Sequence, residues 1–585
     1  MRARSIALVP LSGEFKDYRL IFLRDDLLAA VAVAMMTIPQ SIAYSLLAGL
    51  PPMAGLFSAI FGTIFTAAFG SSRVLVSGPS TGTAILIQTS MADILHTYYA
   101  NVVGAEREAL VLSILTQIVV VMGVIQIGAA FFNVSKLLQF VSRPVVLGYF
   151  GGITVAIAIT QLFAFTGVPA GEGGQPILYK AGEWFWHVGQ ISWPTLLVGI
   201  VSLVLYVGLR RLRPNWPQAL IMVVVAAALS YGLNVWLGKG SVAILSDLAL
   251  PAEPLPHVTY PFFDLKILNK IFPAALAISL LAILEVFSIS RNFASRTGQE
   301  VQVNQDIFGL GVANFLLSFV SGAMPASGSA TRTMLNYRFQ AKSRLAAICS
   351  GIITAVIVLL CWPLVQTIPF AALAALLIAT AHTLMDWKEI KLSFRATRGD
   401  GLVFVLTFLS CLIFSLDVAF FIGIVMSIGS YLKRSATPHL VEYAFNSKGR
   451  LVIVSPHDEI HRKVRIIGIG GELYFAAADV IESVLLSIAK DRSVQAIVLR
   501  LNNVYHMDAS MCLAILRLHE TLKNSDRILV ISGLTEEVWH VFHRAGLVKQ
   551  IGLDNLYFTD ESNPQFSTWK ACLRAQEAIH RQSSV

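Results

Sequence analysis

Seven consecutive residues, Ser327-Gly328-Ser329-Ala330-Thr331-Arg332-Thr333, lie between two strongly apolar runs and bring together four hydroxyls, a glycine and an arginine. Their chemistry is that of an anion site. Met324-Pro325 just upstream interrupts the apolar run and lets a new helix start near Ser327. A helix that begins inside an apolar medium carries unpaired N–H groups and the positive end of its dipole at its first turn. Anions are drawn to such an end. Ser327, Ser329 and Thr331 add donors, Gly328 allows close backbone approach, and Arg332 supplies a fixed positive charge. An earlier stretch, Ser77-Gly78-Pro79-Ser80-Thr81-Gly82-Thr83, matches it at four of seven positions, including the leading Ser-Gly. Both stretches follow an apolar segment and both break a helix, so Ser77, Gly78 and Ser80 are candidates for the opposite side of one site. Paired interruptions in two halves of a chain point to a site between opposed half-helices near a membrane midplane. The competing account, small residues that permit tight helix packing, leaves Arg332 without a role.

Glu285 is the second costly residue, because the run Ile271 to Ser290 holds no other ionisable side chain. An isolated carboxylate there is a candidate proton carrier or one half of an ion pair with Arg332. Thr37, Gln40 and Tyr44 recur at helical spacing in MMTIPQSIAYSLLAGLPP. They form either a polar wall of the site or ordinary interhelical hydrogen bonds.

Membrane helices must position these groups. Of 585 residues, 55% are hydrophobic and only 14% charged, against about 25% charged in an ordinary globular domain. Clear spanning candidates run from Leu27 to Leu46, Ala109 to Phe132, Val145 to Phe165, Trp193 to Leu209, Ala219 to Leu237, Ile271 to Ile289, Leu345 to Val365 and Leu402 to Phe414. With shorter Gly/Pro-broken segments the reading comes to roughly fourteen. Lys and Arg set the orientation. With both ends inside, Arg73, Lys136, Arg143, Arg210, Arg291, Arg338, Lys388 and Lys433 fall in inner loops, and the outer loops hold mainly Arg107, Lys180, Lys239, Lys266 and Lys270. The net charge of +9 therefore reflects topology rather than nucleic-acid binding. The N-terminus reads as a charged leader running into a spanning segment, not as a cleaved signal peptide.

Beyond Thr437-Pro438 the text becomes polar. Strands are expected at Val464 to Phe475, Gln495 to Leu501 and Arg527 to Ser532, with helices at Ala476 to Ala489, Ala509 to Leu522 and Thr535 to Ala545. This alternation implies a small α/β domain with a partly parallel sheet. The chain thus divides into an N-terminal segment 1–24, a membrane domain 25–434, a soluble domain 435–562, and a weakly patterned tail 563–585 expected to fray.

Asp26 to Thr83, with its IPQS-x-AY core and GSSR element, and Asn304 to Ala346 resemble the SulP anion transporters, whose animal relatives include prestin and pendrin. The resemblance covers nearly the whole chain. It implies a polytopic α-helical membrane protein of fourteen transmembrane segments, arranged as two inverted seven-helix repeats in core and gate domains, joined to a cytosolic α/β STAS domain. It places the anion between the starts of the third and tenth segments, at Ser80, Ser329, Ala330 and Thr331, with Arg332 behind and Gln40 and Tyr44 on the first helix. Some proton-coupled relatives carry Glu where this chain has Gln40, which leaves Glu285 as the proton carrier. Sodium-coupled bicarbonate carriers place a hydroxyl one turn beyond the acid, where this chain has Ile289. GGELYFAAAD (Gly470 to Asp479) and VYHMDASMCLAI (Val504 to Ile515) resemble STAS, and Ser510 takes the place of the serine phosphorylated in bacterial anti-sigma antagonists. Otherwise Asp508 or Ser510 is a helix cap.

The expected function is secondary active transport of a small anion, foremost sulfate, by elevator-like movement and proton symport, in a homodimer of the inner or plasma membrane with its N-terminus and STAS domain cytoplasmic. Bicarbonate or dicarboxylate transport, an anion channel or voltage-responsive motor, and an anion-sensing receptor are the alternatives. No cofactor, enzyme activity or nucleic-acid partner is expected: there is no P-loop, no HExxH, and no CxxC or metal spacing among Cys349, Cys361, Cys411, Cys512 and Cys572.

Overall fold

Apolar runs bounded by proline, glycine and capping side chains become helices along most of the chain as far as Ser435. The computed structural model describes residues 6–8, 10–11, 18–102, 104–136, 142–169, 171, 175–213, 216–248, 254–261, 264–320, 322–435, 438–454, 463–560 and 562–583. Thr437, proposed above as a boundary, lies outside the described residues. By contact the chain divides into two units, Met1–Ser427 and Ile428–Val585.

The first unit opens with α1 (Leu23–Leu47) and α2 (Pro52–Phe69), followed by a two-residue strand β1 (Ser77–Gly78) and α3 (Thr81–Tyr98). Next come α4 (Ala105–Phe131), α5 (Arg143–Thr166), α6 (Ile177–Trp186), α7 (Trp193–Leu212) and α8 (Gln218–Leu237). After α9 (Leu268–Thr297) and α10 (Val303–Leu317) stand a second short strand β2 (Ser327–Gly328) and α11 (Ala330–Arg338). The remaining helices are α12 (Leu345–Val365), α13 (Phe370–Ala381), α14 (Trp387–Ala396), α15 (Arg398–Ile413) and α16 (Leu416–Ser435). Eight helical stretches among the described residues are long and apolar enough to cross a membrane.

Without a hydrophobic force between them, such helices associate by close packing. Small residues permit it. Gly123 of α4 lies against the backbone of Phe315 in α10, and Gly311 of α10 against the backbone of Ile127 in α4. A second helix pair is built the same way, with Gly148 of α5 against the Phe404 carbonyl and Gly152 against Cys411, both on α15. Large apolar side chains such as Val204, Val224, Val235, Leu360 and Val425 stay exposed on α7, α8, α12 and α16, as surfaces meant for lipid do.

The second unit is a six-stranded sheet in the order β4-β3-β5-β6-β7-β8, with β3 (His439–Phe445), β4 (Leu451–Ile453), β5 (Val464–Leu473), β6 (Ala496–Met507), β7 (Ile528–Leu534) and β8 (Leu556–Phe558). Strands β5 to β8 are parallel, while β3 is antiparallel to both β4 and β5. Alternate residues serve opposite faces. Ile467, Ile497, Leu499 and Ile531 pack under α17 (Phe475–Lys490), α18 (Ala509–Lys523), α19 (Glu536–Arg544) and α20 (Leu547–Ile551). On the other face, Ile466, Val498 and Val530 pack under Ala571, Ala575 and Ile579 of α21 (Phe566–Ser583). The tail is therefore not a fraying segment: an 18-residue helix closes the second face of the sheet.

Ala575 is fully buried there. Ala575→Asp should cost about 3 kcal/mol or more by placing an unpaired carboxylate in that core. Faster proteolysis within residues 438–583 of the full-length protein, with the membrane unit still resistant, is the expected outcome.

Candidate functional site

Breaking a helix inside an apolar unit frees backbone groups that have no water to turn to, so the first question is where those groups go. They go to each other. Pro79 and Pro325 exclude continuous helix, and the freed segments pair antiparallel, Ser77 with Gly328 and Gly78 with Ser327. Ser329 N donates to Val76 O at 3.0 Å. Side chains finish the pairing: Val76 N donates to Thr333 Oγ1 at 3.1 Å, and Asn336 Nδ2 donates to Val74 O at 3.0 Å. Upstream of the second break, Asn314 takes the Ala326 amide at 2.7 Å and donates to the Ala326 carbonyl at 3.0 Å and to Gln126 Oε1 at 2.8 Å. Helix α2 makes room for this crossing with a π-type turn at Ser58–Gly62, where Ala59 and Gly62 lie against Gly78.

The tips of α3 and α11 consequently meet in one place. Ser80 caps α3 in a reciprocal box with Thr83, each side chain accepting the other's amide at 3.3 Å. Ser329 caps α11 by accepting from Arg332 N at 3.5 Å. The helices start at Thr81 and Ala330, three to four residues later than the Ser-Gly pairs suggested, because those pairs are spent on the β1–β2 ladder. Next to the tip Ala330 is exposed and Thr331 part-exposed, although the neighbouring Ser327, Arg332 and Thr333 are fully buried. The first turn of α11 thus opens onto accessible space.

Arg332 is completely buried, and its Nη2 donates to Pro79 O at 2.6 Å across the gap between the half-helices. Among the described residues its Nε and Nη1 find no acceptor. A Cβ on Gly78 would stand 2.6 Å from Nη1, so glycine at this position is what admits the guanidinium. Glu285 on α9 accepts from the Ser327 hydroxyl, with Ser80 and Arg332 as further polar neighbours. It makes no direct ion pair with Arg332. Gly82 passes close to the Glu285 carboxylate, where a Cβ would lie 3.1 Å from Oε1. From α1, the Tyr44 hydroxyl approaches Thr81, and among the described residues buried Gln40 finds a partner for neither amide atom. Thr37 instead bonds back to Val33 O at 2.7 Å, the ordinary use of a helical threonine. Tyr44, Glu285 and the residues of the two broken segments therefore share the surroundings of the tips, whereas Thr37 is turned to its own helix and Gln40 makes no contact among the described residues that ties it to them.

Sequence reasoning passed over the bracing residues Asn314, Thr333 and Asn336, and two buried carboxylates that stitch distant loops. Asp306 accepts from Ser71 N at 2.6 Å, Ser72 N at 3.0 Å and Ser290 Oγ at 2.8 Å. Asp26 accepts from Lys342 N at 2.7 Å, Ser343 N at 3.2 Å and Ser343 Oγ at 2.6 Å. Of these only Asn314 carried a signal, a lone amide in the apolar run Gly309 to Leu317; Asp26 follows Asp25, and Asp306 follows Asn304-Gln305. In the second unit, Ser510 lies part-exposed in the first turn of α18, and the cap is Asp508, which accepts from Met511 N at 3.1 Å and Phe475 N at 2.6 Å.

Paired broken helices in a polytopic helical bundle, followed by this α/β sheet unit, define a membrane protein of the half-helix type with an appended α/β domain. The chain belongs to the sulfate permease family, whose model matches residues 23–407, and carries a STAS domain at residues 455–562. Among its relatives, sulfate transporter 4.1, chloroplastic, of Arabidopsis thaliana is 26% identical over 90% of this chain and 77% of its own length. The sodium-independent sulfate anion transporter of Bos taurus is 26% identical over 92% and 88%. The murine Solute Carrier 26 family member A9 (Slc26a9) anion transporter, solved in the inward-facing state, shares the fold with a TM-score of 0.86 at 20% identity, covering 99% of this chain and 96% of that one.

Two substitutions probe the crossing. Gly78→Ala should displace the Arg332 guanidinium from Pro79 O and cost about 1–3 kcal/mol, read as a lower unfolding temperature of the purified protein. Thr333→Val removes the acceptor for Val76 N and should cost about 1–3 kcal/mol, seen as a lower unfolding temperature in detergent.

Proposed function

We propose that the chain is a secondary active transporter of a small anion, sulfate foremost, which it binds between the tips of α3 and α11. The observation that carries this reading is Arg332: a fully buried cation facing the opposed half-helix, with two guanidinium nitrogens that no group among the described residues answers. A buried charge without compensation is strongly unfavourable, and a bound oxyanion supplies the missing acceptors. The first-turn amides of two helices add donors and partial positive charge. Relatives named as sulfate transporters support the same substrate class.

Proton symport is the coupling we favour. Glu285 shares its surroundings with Arg332 and bonds to Ser327, the residue that begins β2. Protonating it removes a negative charge from beside the anion, so proton and anion favour one another's binding. Movement is assigned to an elevator-like displacement, because both tips and their bracing belong to one interlocked set of helices, α1 to α4 with α9 to α12. The antiparallel meeting of the tips suits fourteen segments in two inverted repeats. Positive-charge placement favours a cytoplasmic N-terminus and STAS domain in a plasma or inner membrane. A homodimer, and regulation through Ser510, complete the proposal.

Proteoliposome uptake tests it. Arg332→Ala should reduce sulfate affinity by about tenfold to a hundredfold while the purified protein keeps a monodisperse elution profile; unchanged affinity would remove Arg332 from the site. Glu285→Gln should retain downhill exchange and lose accumulation driven by a pH gradient. Accumulation that persists in that variant would eliminate Glu285 as the proton carrier.

A further inference from the structure

A cavity of about 410 Å³ lies away from the two tips, between the C-terminal ends of α1 and α5, the body of α3, and the beginning of α13. Its walls include Ala43, Gln88, Gln161 and Phe370, and α6 contributes Lys180 and Glu183. Helix α6 is held over this space by Trp184, whose Nε1 donates to Thr166 Oγ1 at 3.1 Å at the end of α5. Lys180 is part-buried, and among the described residues its ammonium has neither a hydrogen bond nor an ion pair. Glu183, one turn along, is near enough to be felt but forms no direct pair. Burial holds the Lys180 ammonium below the usual lysine value, with Glu183 opposing that shift.

The cavity also continues the helix faces that carry the site. Gln88 stands seven residues, two helical turns, beyond Thr81 on the same side of α3. Ala43 stands one turn beyond Gln40 on α1. The space is thus aligned with the anion site and separated from it by about two turns of helix.

We propose that this cavity is an outer vestibule that collects small oxyanions before they reach the half-helix tips, with Lys180 as its attracting cation and Glu183 tempering the attraction. The assignment rests on the transport reading for its direction, since the ends of α1 and α5 face outward only in the orientation proposed above. A lysine in a low-dielectric wall that makes no ion pair among the described residues raises local anion concentration and association rates. An acid beside it lets bound anion leave.

Charge-selective labelling tests the vestibule without requiring transport. Gln161→Cys is introduced into the full chain in intact cells, and its rates of modification by impermeant anionic and cationic methanethiosulfonates are compared, with the parent chain as background. The anionic reagent should react faster, external sulfate should slow it, and Lys180→Gln should lower the anionic-to-cationic ratio by about tenfold. Lys180→Arg should keep the ratio, and Glu183→Gln should raise it. A ratio unmoved by Lys180→Gln, or an introduced thiol that the external reagents do not reach, would overturn the assignment. If the charge-dependent ratio holds while sulfate uptake is absent, the vestibule stands and the transport reading falls.

Discussion

The membrane unit depends on one constraint: two helices are broken where backbone groups cannot be left to solvent, and every freed group has to be answered from within. The β1–β2 ladder is the smallest solution available, two residues from each break pairing antiparallel. It holds only because Thr333, Asn336 and Asn314 reach the backbone that so short a strand cannot pair. Arg332 sits inside this arrangement and is fixed by it, one nitrogen on Pro79 O and the rest of the fork pointed away from protein acceptors. The anion-binding proposal is thus a by-product of how the breaks are stabilised. A buried arginine that were fully hydrogen-bonded would be a strut; this one is a strut through Nη2 and leaves Nε and Nη1 without an acceptor among the described residues.

Much of this was readable in advance, for physical reasons. Proline, glycine and hydroxyls inside an apolar run are costly enough to mark the breaks, and a lone Glu285 or Arg332 in such a run stands out by desolvation alone. The partnership of the breaks was not readable. A two-residue strand has no periodicity, and the match between the Ser-Gly pairs suggested a shared role as helix starts, whereas their role is to pair with one another. Asn336 and the carboxylates Asp26 and Asp306 were passed over because their cross-chain partners Val74, Lys342 and Ser71 lie over 230 positions away, and Asn314 because one amide in an apolar run does not say which backbone group it holds. The vestibule is assembled from five helices and could not be inferred from any one of them.

The soluble unit shows the same boundary between local and distant information. Strands β5, β6 and β7 were legible because both faces of each are buried and the sequence reads as unbroken apolar text. The β3–β4 hairpin and α21 were not. The buried stripe of α21 is Ala571, Ala575 and Ile579, two of them alanines, so its contribution comes from fitting closely against a sheet rather than from hydrophobic bulk. Closing the second face is nevertheless what turns a half-covered sheet into a domain with two cores.

Asp26 and Asp306 carry a consequence for how the chain is made. Each ties a loop of the opposite half, so residues 71–78 wait for partners between 306 and 336, and Asp26 waits for Lys342 and Ser343. At roughly 5–20 residues per second, the ribosome leaves the opening helices in the bilayer for about 10 to 60 seconds with a severed backbone that nothing yet completes. Biogenesis therefore has an obligatory interval in which the first half must be sheltered, by the insertion machinery or by neighbouring helices, until its complement arrives.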